Sequence, residues 1–206
     1  MKFITLSGVD GSGKSTQLAL LKEKLERENW NVAYFHAVEF SLANRIARFF
    51  KGQKSFEPGK EKAIAEASWF SVVLREKFLF WDMIRFRLLL RKLRKENCDY
   101  LLSDRSFYDS LINLAYLSDQ TILFSWLTRL GLWFLETYVP KADRALYFDI
   151  APETILSRER VPEQGIEYLR AKQELFKKKI TDWNMIVIDA NRDKNTIFQE
   201  ILNKII

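Results

Sequence analysis

Cysteine and histidine are nearly missing from this chain of 206 residues, with one of each, Cys98 and His36. A lone cysteine cannot close an intramolecular disulfide, which points to a reducing compartment. One cysteine and one histidine also cannot build a zinc site from those ligands. Proline and glycine are sparse, four and seven, and they punctuate the chain without forming a linker, a repeat or a low-complexity segment. A long uncharged apolar run is lacking as well. The greasiest stretch, residues 121–138, carries Arg129 near its middle and reads as a buried helix rather than a membrane span. The opening residues 1–7 hold four apolar positions before Gly8, Met1, Phe3, Ile4 and Leu6, too few for an export signal. The expectation is a soluble, cytoplasmic protein.

What is present is globular material. A hydrophobic fraction of 48% beside 29% charged residues supports a packed core and excludes disorder. The length suits one domain over 1–206. Aromatics reach 14%, which calls for a thick core or a buried subunit interface. Lysine plus arginine outnumber acids by 33 to 27, a balance that suits a small polyanion as well as nucleic acid. The basic run Arg91-Lys92-Leu93-Arg94-Lys95 closes a long helical segment and complements its dipole, and no stacking aromatics interleave it. It reads as a solvated helix end, so neither a nucleic-acid nor a membrane partner is expected.

Apolar runs of strand length, at residues 3–7, 32–35, 100–103, 145–148 and 185–188, alternate with segments of helical period. Helices are expected at 15–29, 42–50, within 61–96, at 108–117, 122–138, from 152 to a break at Pro162, at 167–181 and at 195–205. This alternation predicts an α/β fold with a parallel sheet covered by helices on both faces. Consecutive apolar residues such as Leu101-Leu102 and Ile186-Val187-Ile188 agree with strands buried on both sides. Ligands of such sheets bind beyond the carboxyl ends of the strands.

Directly after the first strand stands Gly8-Val9-Asp10-Gly11-Ser12-Gly13-Lys14-Ser15-Thr16. It matches G-x-x-x-x-G-K-[ST] between a strand and a helix, the context in which such a loop wraps the phosphates of ATP with its main-chain amides. The glycines allow successive amides to point inward, and the helix amino terminus adds a favourable dipole. Lys14 brings a compact charge to the β- and γ-phosphates, and the Ser15 hydroxyl is a ligand for magnesium. Asp10 is the odd member, since a carboxylate among phosphate-binding amides is repelled by the ligand unless it points elsewhere. It is either a turn acid or a group facing the acceptor, holding a sugar hydroxyl or a metal-bound water.

Asp104-Arg105 follows the third strand directly. An acid there suits a magnesium-organising carboxylate, and the arginine offers a bidentate fork for a phosphate. With these motifs, Asp109-Ser110, Pro152-Glu153 and Ile188-Asp189-Ala190, the chain resembles the thymidylate kinase family of nucleoside-monophosphate kinases over nearly its whole length. The resemblance implies a three-layer P-loop NTPase fold with five parallel strands in the order 2-3-1-4-5. It implies a lid at about 153–170, a homodimer, and transfer of the ATP γ-phosphoryl group to dTMP with Mg2+. It also implies that Asp104 helps position magnesium, that Arg105 grips the acceptor phosphate, and that adenine lies near residues 190–193.

Some positions depart from the family pattern. After the second strand, Arg-Glu-Pro-Gly-Gly is replaced by Ala37-Val38-Glu39-Phe40-Ser41, in which Glu39 matches the family glutamate. The tyrosine after Arg105 is replaced by Ser106-Phe107-Tyr108. Trp81 and Arg85 occupy the spacing of the base-stacking aromatic and its arginine, one turn apart on one helix face; ordinary packing with a snorkelling arginine is the other reading. These departures keep other acceptors open, namely a nucleoside, another nucleotide or a phosphorylated metabolite, beside a regulatory NTPase. The loop has no arginine of its own, so Arg158 and Arg160 in the lid segment are the candidates to neutralise the transferring group. Being two apart, they do not share a helix face; one acts alone, or the backbone leaves the helix before Pro162. Arg170 and Lys172 are further candidates.

Overall fold

The computed structural model describes residues 1–43, 45, 69–119, 125–157 and 165–205. Among them the strands are β1 (Lys2–Gly8), β2 (Val32–His36), β3 (Tyr100–Asp104), β4 (Arg144–Asp149) and β5 (Ile186–Asp189). The helices are α1 (Lys14–Arg27), α2 (Ala37–Phe40), α3 (Trp69–Lys95), α4 (Phe107–Asp119), α5 (Ser125–Tyr138), α6 (Pro152–Leu156), α7 (Gly165–Lys179) and α8 (Lys194–Ile205). The sheet is wholly parallel in the order β2-β3-β1-β4-β5, as the family resemblance implies. Most of the helix expected over 42–50 lies outside the described residues. The single turn of α2 has no counterpart in the hydrophobic pattern.

Alternation along the strands divides the core in two. Phe3, Leu101 and Tyr147 face one layer with Phe86, Phe107, Leu111 and Phe176. Their neighbours Ile4, Leu102 and Phe148 face the other, with Leu18, Leu21 and Leu25 of α1 and Ile197 and Ile201 of α8. A strand period of two gives each face its own residues, and the apolar spacing on α1 and α8 follows the helical period. Phe86 is fully buried, with ring centroids 5.3 Å from Phe3, 4.5 Å from Phe35 and 5.2 Å from Phe107. Burying such a ring stabilises by about 2–3 kcal/mol.

Residues 125–138 of the greasy stretch form α5, and no helix among the described residues is long and apolar enough to cross a membrane. α5 packs on α3 closely enough that a Cβ added at Gly131 would stand 2.6 Å from Glu76 Oε2. The other oxygen, Oε1, is buried and accepts no hydrogen bond among the described residues. Burial therefore pushes the Glu76 carboxyl up to about 7, with Lys77 pulling weakly the other way. Between about pH 4.5 and 7 the folded chain keeps a proton that the unfolded chain releases, so stability falls as pH rises through that window. Glu76→Gln removes this dependence. Because the site is only half-buried, the expected gain is ~1 kcal/mol at pH 8 and near zero at pH 4.5, read from urea melts at both pH values.

Candidate active site

β1 and α1 are joined by a turn that only glycine can begin. At Gly8 φ is +142°, and an added Cβ would stand 2.9 Å from the carbonyl oxygen of Phe148 on β4. Gly13, at φ +91°, stands at the N-cap of α1; no side chain caps the helix there, and its first turn carries no acid. The free amides and the positive end of the helix dipole therefore face an incoming anion. Lys14 is 5% exposed, and its Nζ donates to Gly8 O (3.0 Å), Val9 O (2.8 Å) and Ser12 Oγ (3.2 Å). Burial and the Arg105 charge lower its pKa, while Asp10, Asp109 and Asp104 pull it back up. A polyphosphate would exchange three neutral acceptors for charged ones. Ser15 and Thr16 stand exposed at the mouth of the turn, as does Gly11.

The pairing of Leu6 with Asp104 sets the end of β3 beside this loop. There two adjacent side chains part ways. Ser15 Oγ donates to Asp104 Oδ2 at 2.5 Å, and Arg105 Nη2 donates to Asp10 Oδ1 at 2.7 Å. Arg105 sits at φ +60°, a conformation that costs a non-glycine residue about 1–3 kcal/mol. It is held there by its amide on Leu6 O (3.1 Å) and by Ser103 Oγ on its carbonyl (2.7 Å). A hydroxyl and a carboxylate converging at Ser15 and Asp104 form an oxygen donor set that fits magnesium, an ion that keeps several waters and takes substrate oxygens. At Asp10, burial raises the carboxyl pKa, but Lys172, Arg105 and Lys14 together bring it down to about 2. It is therefore ionised throughout the neutral range.

Asp109 ties the two halves together. Its carboxylate accepts from Ser7 Oγ (2.7 Å), Gly8 N (3.2 Å) and Ser106 N (3.0 Å), while Ser106 Oγ accepts from Tyr108 N (3.2 Å). Ser106 and Asp109 thus form a capping box at the start of α4 whose acid also fixes the first residues of the phosphate loop. The S-x-x-D spelling of residues 106–109 is the sequence signal for it.

On the β2 side the structure brings Phe40, not Trp81, to Arg85. The guanidinium lies 4.3 Å from the Phe40 ring centroid, donates to Phe40 O (3.0 Å) and pairs with Asp82 (2.6 Å). Asp82 in turn accepts from Leu42 N (3.0 Å). Arg85 therefore braces the chain that follows α2. Trp81 is 57% exposed and meets Phe80 edge-on at 6.5 Å. Glu39 is exposed on α2, near enough to Tyr34 that, after burial and Asp104, its charge helps push that hydroxyl up to about 12. The loop 190–193 is tied to the end of β4, since Asn191 Oδ1 accepts from Ala151 N and Thr154 Oγ1, both at 3.2 Å. Arg170 pairs with Glu153 at 2.7 Å. Arg158 and Arg160 lie outside the described residues.

An amide-lined loop with a buried lysine, flanked by a Ser–Asp pair on one side and an Asp–Arg pair on the other, at the carboxyl edge of a 2-3-1-4-5 sheet, defines a P-loop phosphotransferase. The family model described as Thymidylate kinase matches residues 6–201, and the chain belongs to the thymidylate kinase family. Members are ATP-dependent nucleotide kinases, and so is this chain. It is 27% identical over 207 residues to a probable thymidylate kinase of Methanosphaera stadtmanae, covering 99% of this chain and 97% of that one. A probable thymidylate kinase of Methanosarcina barkeri is 30% identical over 225 residues, with 100% and 96% covered. In fold it matches the crystal structure of thymidylate kinase from Ehrlichia chaffeensis at a TM-score of 0.64, with 20% identity over 98% of this chain and 97% of that chain.

Removing the Asp109 acceptor would leave three donors at the root of the loop unsatisfied. Asp109→Ala is therefore expected to lower stability by about 3 kcal/mol, read as a reduced denaturation midpoint with an unchanged m-value.

Proposed function

We propose that this protein is a thymidylate kinase, transferring the γ-phosphoryl group of ATP to dTMP to give dTDP. The observation that carries the reading is the parting of Asp104 and Arg105. One turns to Ser15 on the donor side and its neighbour to Asp10 on the acceptor side, so a single strand end addresses both substrates.

In this reading the loop amides from Gly8 to Thr16 and the α1 terminus cradle the ATP phosphates. Lys14 leaves its carbonyl partners for the β- and γ-phosphate oxygens. Ser15 and, directly or through water, Asp104 would hold magnesium, which when bound would supply positive charge to the transferring phosphates. Arg105 takes the acceptor phosphate in a bidentate grip, and Asp10 orients the nucleoside, with Glu39 and the Arg85–Phe40 face bordering it. An acceptor phosphate oxygen, already deprotonated with a second pKa of about 6, forms a bond to the γ-phosphorus. The bond to the β,γ-bridging oxygen breaks, and ADP leaves with that electron pair. No protein nucleophile or general base is required. Positioning and charge do the catalysis.

An assay with ATP and magnesium over a panel of monophosphates tests the substrate. Turnover of dTMP at least tenfold above dUMP, dCMP, dGMP and AMP is expected, and preference for another acceptor would overturn the thymidylate assignment. Lys14→Ala should lower kcat by about a thousandfold or more while the fold is retained.

The protein acts in the cytoplasm as a homodimer in this reading. Leu127, Leu130 and Phe134 make an exposed stripe on α5, and Leu74, Trp81 and Leu88 repeat every seven residues on α3. Phe80 joins the two, with ring centroids 5.8 Å from Phe134 and 6.5 Å from Trp81. A continuous apolar face of this kind suits burial against a second copy. Leu130→Glu is expected to convert the dimer to a monomer in sedimentation equilibrium; a wild-type monomer at micromolar concentration would reject the assembly.

A further inference from the structure

Gln17 is an amide where the packing of α1 asks for hydrocarbon. It stands one turn before Leu21 on the buried face of that helix and is 3% exposed. Its Nε2 donates to the carbonyl of Lys194 at 2.8 Å, while its Oε1 is buried and accepts no hydrogen bond among the described residues. The partner fixes which end of the amide points where, since a carbonyl can only accept. A methionine would fill the same place with no unpaired polar atom, and a buried amide oxygen without a donor is unfavourable. What the amide contributes is the bond to Lys194.

That bond joins two parts of the carboxyl edge of the sheet. Gln17 lies one turn beyond Gly13, to whose carbonyl its own amide donates at 3.1 Å, and Gly13 is the N-cap where free amides face a phosphate. Lys194 opens α8 and closes the loop 190–193 that follows β5. The inner side of this loop is held at several points. Ala190 N donates to Asp149 O (2.8 Å), Asn191 N and Nδ2 donate to Asp189 Oδ1 (3.0 and 2.8 Å), and Asp193 Oδ1 accepts from Asn195 N and Thr196 N (both 3.0 Å). These bonds give the loop its shape, and Gln17 sets its distance from the phosphate cradle. The outer side is open, with Asn191, Arg192 and Asp193 exposed.

The donor runs towards that loop. In an in-line transfer the γ-phosphorus lies between the acceptor oxygen and the bridging oxygen that leaves, so the nucleoside of ATP extends away from the acceptor. Arg105, the acceptor grip of the proposed reaction, follows β3 on one side of β1, and β4 and β5 lie on the other. With its phosphates on the α1 terminus, ATP therefore carries its nucleoside over the ends of β4 and β5, where the loop 190–193 stands.

We infer that Gln17 is a positioning residue of the donor site, holding the loop 190–193 at a fixed distance from the phosphate cradle so that one rigid unit takes both the nucleoside and the phosphates of ATP. A loop held in advance loses no freedom when the nucleotide binds, and affinity rises by that amount. The inference rests on the kinase reading for the direction in which ATP lies. It adds a residue that acts through Lys194 and the loop without touching substrate.

The test is calorimetry on the full-length protein with magnesium, using ATP and inorganic tripolyphosphate, which offers the phosphates without a nucleoside. Wild type is expected to bind ATP more tightly than tripolyphosphate. Gln17→Met should raise the ATP Kd about tenfold and the tripolyphosphate Kd less than twofold. In the kinase assay the ATP KM should rise likewise, with the dTMP KM changed less than twofold. Gln17→Glu, of equal size but with an acceptor in place of the donor, should match Gln17→Met at pH 8. It also decides the question if the methionine variant fails to give the wild-type circular dichroism spectrum. Loosened packing of α1 alone would weaken both ligands by equal factors. Equal factors, an unchanged ATP Kd in a folded variant, or a wild type that binds ATP no better than tripolyphosphate overturns the inference. A wild type that binds ATP yet phosphorylates no monophosphate overturns the kinase reading instead, and the two Kd values still decide the role of Gln17. A protein that binds neither ligand overturns both.

Discussion

Parallel pairing of β1 with β3, with Leu6 opposite Asp104, is the constraint on which the site depends. It sets the end of one strand, where the chain turns into the phosphate loop, beside the end of another, where Asp104 and Arg105 emerge. A slip by one residue would turn each side chain to the opposite face of the sheet, carrying Asp104 away from Ser15. The register is locked by side chains that see only one layer each, such as Phe3 and Ile4, and by Asp109, which holds Ser7, Gly8 and Ser106 in one carboxylate. The catalytic edge is thus attached to the core at the point where an error of one residue would do most damage.

Charge balance follows from that register. Lys14 and Arg105 lie with Asp10, Asp104 and Asp109 in a region largely shielded from water, Arg105 paired directly with Asp10 and Lys14 held by oxygens of its own loop. Such an arrangement is stable only as a set, because removing one member leaves a buried charge without its match. The same arrangement prepares the site for polyanions. Lys14 is bound to carbonyl and hydroxyl oxygens, which are weaker partners than phosphate, and Arg105 is bound to the Asp10 carboxylate. Asp109, with three donors, ties the root of the loop to the start of α4.

Much of this was legible in the sequence, and the rest failed for identifiable reasons. The loop from Gly8 to Thr16 is a local motif, with every functional atom within nine consecutive residues, so spelling and context suffice. The central strands β1, β3 and β4 were readable because they are buried on both faces, and the edge strands β2 and β5, where Tyr34 and Val187 are exposed, because their short β-branched and aromatic runs stand between helical segments. The partner of Arg85 was not readable. Spacing on a helix brings Trp81 and Arg85 to one side, yet Phe40, 45 residues earlier, carries the carbonyl that Arg85 binds, and one-dimensional periodicity holds no information on such a contact. Lys172 could be named only as one basic residue among several, since its burial comes from the packing of α7 on α4, which is tertiary. Asp109 sits between these cases. Its capping box was spelled out locally, but its grip on Ser7 and Gly8 is tertiary.

The strained residue at the centre of the site gives these observations a common cause. Arg105 follows Asp104 without a spacer, and in an extended strand two successive side chains point to opposite faces. Here both serve the same edge, Asp104 meeting Ser15 and Arg105 meeting Asp10. The left-handed backbone at Arg105 achieves that by breaking the alternation where the strand ends. Its amide on Leu6 and its carbonyl under Ser103 show where the compensation is made. It comes from the β1–β3 ladder itself, extended by one bond beyond the last regular pair. The conformation that sends Asp104 to Ser15 and Arg105 to Asp10 is therefore maintained by the same pairing that places the phosphate loop, and neither can be altered without disturbing the other.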